Sequence, residues 1–203
     1  MRRLAGRLIA VEGIDQAGKR TVCQRLVREL AANGIPAELT GFPDYSTPLG
    51  AQIKRFLGGQ QGYPVQVRQL LYTANRWERA AELRAWLADG RAVILDRYIS
   101  SNIAYGGAQG LPLDWMICLE RDLPAPDLTI LLDIPAEVSL ARKSSARDTY
   151  EAQLDLLARA RDVYLRLASS AAWQIVDATA DPESVWSSVL AALRAYAGSL
   201  SSE

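Results

Sequence analysis

The sequence predicts an α/β fold: an open, parallel, doubly wound sheet of five strands flanked by helices on both faces. Three observations predict it. Short apolar runs recur along the chain, at Leu8 to Val11, Ala37 to Thr40, Ala92 to Leu95, Leu128 to Leu132 and Trp173 to Val176. Segments with helical periodicity, about ten residues or longer, separate them, as crossovers between parallel strands require. The first run also leads straight into a glycine-bounded loop and then a helical pattern, a strand–loop–helix unit.

Each element follows from local chemistry. Val22, Leu26, Val27 and Leu30 fall at helical spacing after the loop, and Asn33-Gly34 stops that helix. Thr47 is placed to cap a helix with Pro48 at its first position and Ile53, Phe56 and Leu57 on one face; Gly58-Gly59 ends it. Tyr63 to Asp89 is the longest periodic segment, with Leu70, Ala74, Trp77 and Ala81 forming its apolar face. Ala92 to Leu95 is apolar throughout and is expected to be a central strand. Leu111 to Leu119 reads as a short helix, and Pro135 opens another that leads into the basic stretch Arg142 to Arg147. Leu154, Leu157, Arg161, Tyr164 and Ala168 mark a long helix. Asp181-Pro182-Glu183 starts the last one, with Val185, Val189, Leu190 and Leu193 inward.

The 203 residues suit one domain, 1–203, with a small lid at most, and are enough for a sizeable core. Lys and Arg number 23, as do Asp and Glu, so no global field draws the chain to nucleic acid or to an anionic membrane. The apolar run after Arg2, Arg3 and Arg7 ends at Glu12, too short for a signal peptide, and nothing approaches the about 20 apolar residues of a membrane span. Cys23 and Cys118 have no metal-type spacing, fall in helical patterns and are expected in the core; the expected compartment is reducing and cytoplasmic. There is no histidine, so acid–base and metal chemistry must run on carboxylates, Lys, Arg and hydroxyls.

Ligands of such sheets sit beyond the carboxyl ends of the strands. The loop of Gly13, Ile14, Asp15, Gln16, Ala17 and Gly18, followed by Lys19, has the spacing of a phosphate-binding P-loop, in which small residues let backbone N–H groups wrap a phosphate at a helix N-terminus. The motif wants Ser or Thr next, for magnesium; the chain has Arg20, and Thr21 supplies a hydroxyl one residue late. Asp96-Arg97 ends the third strand: Asp96 is the candidate Mg²⁺ carboxylate and Arg97 a bridge between donor and acceptor phosphates. Phe42-Pro43-Asp44, Asp133 and Asp177 end the other strands and should converge with them. Arg142, Lys143 and Arg147 fit either a solvated helix end or a lid that brings arginine over phosphates.

Val11-Glu-Gly-Ile-Asp-Gln-Ala-Gly-Lys19, Phe42-Pro43, Leu71-Tyr-Thr-Ala-Asn-Arg-Trp-Glu78 and Asp96-Arg-Tyr-Ile-Ser-Ser-Asn-Ile-Ala-Tyr105 together resemble the thymidylate kinases in order and spacing. Leu123-Pro-Ala-Pro-Asp127, Leu132-Asp133, Arg147-Asp-Thr-Tyr-Glu151 and Val176-Asp-Ala178 extend the resemblance from Leu8 to about Leu190. It implies a P-loop kinase fold with a short lid at about 142–150, a homodimer, and Mg²⁺-assisted transfer of the γ-phosphoryl group of ATP to dTMP. Lys19, Arg97, Arg142 and Arg147 would be catalytic. Gly13 to Thr21, Arg142, Ala178 and Thr179 would bind ATP. Asp15 would accept a hydrogen bond from the sugar 3′-hydroxyl, Arg76 would reach the thymine carbonyl, Tyr72 would stack on the ring, and Tyr105 would exclude a 2′-hydroxyl. Phe42, Leu57 and Tyr150 would close the pocket, with Tyr45, Arg97 and Ser101 also on the substrate.

Departures from the family pattern carry alternatives. Arg20 replaces the magnesium hydroxyl and brings a positive charge of its own. Tyr45 stands where some members have an arginine, Gln16 where some have a basic residue, and Gly106 where Gln is common. They leave open a kinase for another pyrimidine monophosphate, or a P-loop protein that binds nucleotides without turnover.

Overall fold

The structure is a computed structural model that describes residues 1–142, 150–169 and 172–200. Five parallel strands, β1 (Leu8–Glu12), β2 (Ala37–Gly41), β3 (Ala92–Asp96), β4 (Leu128–Asp133) and β5 (Trp173–Asp177), lie in the order β2-β3-β1-β4-β5. All five coincide with the expected apolar runs. β1 is the middle strand, with β3 beside it; Val11 pairs with Asp96 on one side and Ile130 on the other. The strand order reverses around β1, which puts a crevice where its following loop must sit.

The helices are α1 (Lys19–Ala32), α2 (Pro48–Leu57), α3 (Val65–Ala88), α4 (Ile99–Ala108), α5 (Leu113–Glu120), α6 (Ala136–Ala141), α7 (Tyr150–Leu167) and α8 (Pro182–Ser199). Side chains alternate along the strands and feed two cores. Leu8, Ala10, Val93 and Leu95 pack with Ala80 and Leu83 of α3. Ile9, Val11, Ala92 and Ile94 belong to the core that holds Val22, Cys23 and Leu26 of α1. The predicted caps are in place: the Thr47 hydroxyl accepts from the Gly50 N–H with Pro48 next, and Asp181 accepts from Glu183 and Ser184 N–H. Such a cap is worth about 1 kcal/mol. Asn33 caps α1, and Gly34 takes φ 72°.

Three expectations are corrected. The apolar stripe of α3 faces outward: Leu70 and Trp77 are 45% and 42% exposed, and Ala81 is exposed too. The buried stripe holds Gln69, Thr73, Arg76, Ala80 and Leu83, because the first half of α3 covers a polar cavity rather than the sheet. Cys118 is exposed on α5; only Cys23 is buried. Ile99–Ala108 is a helix that the pattern does not mark, since Gly106 and Gly107 weaken it by about 1 kcal/mol each relative to Ala.

Packing explains those glycines. A Cβ at Gly106 would lie 2.7 Å from the Met116 sulfur, and one at Gly107 2.5 Å from Leu113 Cδ2, so α5 docks directly on the α4 backbone. Met116 is fully buried and has little room to yield. Gly106 does not line the cavity; Gln109, one turn on, does. Gly106→Gln should therefore destabilise the fold by about 1–3 kcal/mol through overpacking and leave nucleotide selectivity unchanged. Urea denaturation and substrate profiling of the variant measure the two effects separately.

Candidate active site

The P-loop leaves β1 under tight sterics. Gly13 has φ 139°, and a Cβ there would sit 2.4 Å from the Leu132 carbonyl oxygen, a clash with backbone that only glycine avoids. Gly18, at φ 91°, is the N-cap of α1 and offers no side-chain cap. The helix start is thus free to present N–H groups to an anion. Lys19 turns back over the loop and donates from Nζ to the Ile14 carbonyl at 2.7 Å. Burial lowers its pKa to about 7, and repulsion from Arg97 adds to this; Asp15, Asp96 and Glu12 oppose the shift.

Asp96 and Arg97 meet the loop from β3. Gly41 lets β2 end against Asp96, since a Cβ there would lie 2.7 Å from the Asp96 carbonyl oxygen. The Asp96 carboxylate makes no hydrogen bond or ion pair among the described residues and lines a cavity of about 750 Å³ with Gln16, Gly18, Lys19, Arg20 and Thr21. Arg97 has φ 66°, a conformation costly for a side chain. Its N–H donates to Val11 O at 3.1 Å, and its guanidinium donates to Gly13 O at 3.1 Å, Ser101 Oγ at 3.2 Å and Asp15 Oδ1 at 2.5 Å.

A second cavity of about 430 Å³ adjoins the first and is lined by Asp15, Phe42, Tyr45, Leu57, Tyr72, Arg76, Arg97, Ser101 and Tyr105. Phe42, Pro43, Tyr45 and Arg97 line both, so Arg97 stands at the junction. Every residue that the resemblance assigns to the acceptor substrate is here except Tyr150, whose side chain lies outside the described residues. The Tyr105 hydroxyl donates to Asp15 Oδ1 at 3.2 Å, its ring lies 5.5 Å from the Arg97 guanidinium carbon, and burial pushes its pKa up to about 12. Both bonds to Asp15 fall on Oδ1, and Oδ2 has no partner among the described residues.

On the far side of the loop, Arg142 at the end of α6 donates to Gln16 O at 3.2 Å and Ala178 O at 3.0 Å. It thereby ties the loop to the Ala178-Thr179 turn, which Asp177 braces by accepting from both the N–H and hydroxyl of Thr179. Lys143 and Arg147 lie outside the described residues.

Arg76 has a partner within the protein. Its Nε donates to Glu120 Oε2 at 2.9 Å and its Nη2 to Glu120 Oε1, while Thr73 and Asn102 donate to the same carboxylate at 2.7 and 2.6 Å. Nη1 makes no hydrogen bond among the described residues. Gln69 Oε1 and Asn102 Oδ1 are buried acceptors without partners among the described residues, and both residues line the cavity. Sequence reasoning missed Glu120 and Asn102; an arginine on a buried helix face signals only that some carboxylate must answer it. It also assigned no role to Glu12, whose charge at the end of a wholly buried strand requires donors.

The other strand-end acids come to the same edge of the sheet but are used structurally. Asp133 takes a two-point ion pair from Arg161 at 2.7 and 2.8 Å, and Asp44 is held by Ser46 and Arg79.

Comparison with known proteins agrees with this architecture. A family model described as "Thymidylate kinase" matches residues 11–189. The thymidylate kinase of Schizosaccharomyces pombe is 40% identical over 146 residues, 72% of this chain and 70% of that protein. The human thymidylate kinase is 33% identical over 183 residues, 89% of this chain and 86% of that one. The solved thymidylate kinase of Candida albicans superposes with a TM-score of 0.82 at 30% identity, covering 94% and 92% of the two chains. The chain belongs to the thymidylate kinase family of nucleoside monophosphate kinases.

Proposed function

We propose that this protein transfers the γ-phosphoryl group of ATP to the phosphate of dTMP, releasing ADP and dTDP for dTTP synthesis. The observation that carries this reading is the junction at Arg97: one cavity ends in the phosphate loop, and the other ends in a polar pocket sized for a nucleoside. An oxygen of the acceptor phosphate attacks the γ-phosphorus, and the bond to the β-bridging oxygen breaks with its electron pair left on ADP. Lys19 and the α1 N-terminus hold donor phosphates, while Arg97 reaches the donor–acceptor junction and spreads the charge of the moving group. Arg142 braces the loop on its adenine side next to Ala178-Thr179, and Arg147 would serve with it from the lid at 142–150.

Base choice follows from the second cavity. The free Nη1 of Arg76 offers a donor to a ring carbonyl, and Gln69 and Asn102, whose side-chain oxygens lack partners among the described residues, line the same cavity as candidate acceptors. A thymine or uracil edge presents that complement, a carbonyl next to an N–H; a cytosine edge presents the reverse. Tyr72 lies in place to stack, Asp15 Oδ2 to accept from the sugar hydroxyl, and Phe42, Leu57 and Tyr45 to close the pocket.

The residues present fit Mg²⁺, which keeps several waters and needs only one or two carboxylates beside substrate phosphates. Asp96 would hold it, directly or through water, with Thr21 offering a hydroxyl on the same cavity wall and Arg20 adding charge; the ion would neutralise the transferring phosphates. Among the described residues no group of three acidic or sulfur ligands forms a separate metal site.

We further propose that residues 1–203 act as one kinase domain, cytoplasmic and homodimeric. Among the described residues no helix is long and apolar enough to cross a membrane. Val67, Leu70 and Trp77 on the outward stripe of α3, and Ile117 on α5, are exposed apolar side chains that fit a second copy.

Three experiments test this. In a coupled ADP-release assay, dTMP should turn over well above dCMP and dGMP, with dUMP second; preference for another monophosphate would move the base assignment, and binding without turnover would favour the non-catalytic reading. The C. albicans structure is described in terms of broad substrate specificity, which makes the panel informative. Lys19 gives a pH signature: with a pKa of about 7 it is mostly neutral at pH 8, and nucleotide phosphates restore its charge. Calorimetry in buffers of different ionisation enthalpy should show ATP binding take up nearly one proton at pH 8 and little at pH 6, relative to Lys19→Met. Finally, Trp77→Glu should convert a dimer to a monomer in analytical ultracentrifugation at micromolar concentration; an unchanged mass would place the interface elsewhere.

A further inference from the structure

The carboxylate of Glu12, the last residue of β1, is fully buried directly before the P-loop. Four donors reach it from two helices. Oε1 accepts from the N–H groups of Tyr98 at 2.9 Å and Ser101 at 3.2 Å, so a side chain of β1 caps α4, whose own N-cap residue provides no side-chain cap. Oε2 accepts from the Ser101 hydroxyl at 2.6 Å and the Tyr164 hydroxyl at 2.9 Å. Ser101 and Tyr164 are themselves 2.8 Å apart, and Ser101 Oγ also accepts from Arg97 Nη1 at 3.2 Å.

These contacts form one path. Tyr164 lies on α7, the helix that follows the segment assigned to the lid. One turn earlier, Arg161 fixes the same helix to Asp133 at the end of β4. Tyr164 is fully buried, and its hydroxyl makes no other hydrogen bond among the described residues. A phenylalanine would fill the same core space. The hydroxyl therefore contributes through the carboxylate and Ser101, and Ser101 in turn is one of three acceptors that aim a guanidinium held at φ 66°.

We propose that Tyr164 and Glu12 are positioning residues for phosphoryl transfer: through Ser101 they set the orientation of Arg97 at the junction of the two cavities, and so couple the seating of α7 to the reacting phosphates. The proposal rests on the transfer reaction assigned above. Its logic is electrostatic preorganisation, in which a cation must already point at developing charge, and small displacements cost rate rather than affinity.

Tyr164→Phe is the test. Expected is a fall in kcat of about tenfold with KM for ATP and dTMP within about twofold of the wild type, since nothing that contacts a nucleotide is removed. Ser101→Ala, which also alters the wall of the acceptor cavity, should lower kcat to a similar degree, the pair should lose no more kcat than the worse single variant, and Ser101→Thr, which keeps a hydroxyl, should recover most of the rate. In an Arg97→Lys background, Tyr164→Phe should change single-turnover rates less than about twofold, because the fork that reads Ser101 is gone. An undiminished kcat, additive losses, or a full tenfold loss in the Arg97→Lys background would overturn the proposal. A second readout does not depend on turnover. Nitrogen-15 NMR of arginine side chains should show slow rotation of the Arg97 guanidinium in the wild type and faster rotation in Tyr164→Phe; identical rotation would also overturn it. A wild type inactive on dTMP while this NMR difference persists would count against the assigned reaction and leave the coupling standing.

Discussion

Two cations, Lys19 at the start of α1 and Arg97 just after β3, are held close enough to repel each other, and the rest of the site answers that repulsion. Neither can retreat to water: Lys19 is nearly buried and Arg97 is fixed by its backbone and three acceptors. Three carboxylates offset them from different directions, with Glu12 beneath, Asp15 in the loop and Asp96 from β3. The balance falls short for Lys19, whose charge is held only loosely in the absence of phosphate. A site of this kind is stable empty and becomes fully charged when an anion enters, which concentrates binding energy on phosphate rather than on counter-ions.

The parallel sheet makes this possible because it delivers residues distant in sequence to one edge. Its strands were legible in the sequence as apolar runs, as were the P-loop, the caps at Thr47 and Asp181 and the converging Asp96-Arg97. What was not legible shares a physical cause. Apolar periodicity reports where a helix meets a hydrocarbon core, whereas half of α3 meets a polar cavity and turns its apolar stripe away. The same cavity takes Arg76, so its partner Glu120 appears only once α5 is seen to dock on α4. Glu12 was hidden for the opposite reason: a charge that ends an apolar run reads as a strand terminus, though the strand stays buried to its last residue.

The pairing of Arg76 with Glu120 illustrates what a buried ion pair can do. Its desolvation cost makes it a weak source of stability. Its geometry is another matter. Two of the three guanidinium nitrogens are fixed by one carboxylate, Thr73 and Asn102 fix that carboxylate, and the third nitrogen is left facing a cavity. A lysine in the same place would carry the charge without the fork, and so without a defined direction for the remaining donor. In the proposed reading, that direction is what would distinguish one pyrimidine edge from another.

The departures from the family pattern take on meaning in the same terms. Gly106 is no missing base contact; it is the surface on which Met116 rests, and it does not line the cavity. Gln109, one turn on, lines the cavity with its amide donated to the Tyr105 carbonyl at 2.8 Å. Tyr45 borders both cavities beside Arg97, a neutral group where a further cation would have raised the repulsion that already lowers the Lys19 pKa. Arg20 is exposed on the cavity wall and bears no such constraint, because water screens it. The cation that some family members carry at the crowded junction is thus absent at Tyr45, and one is gained at Arg20 on the wet margin, which preserves attraction for nucleotide phosphates without adding to the repulsion at Lys19.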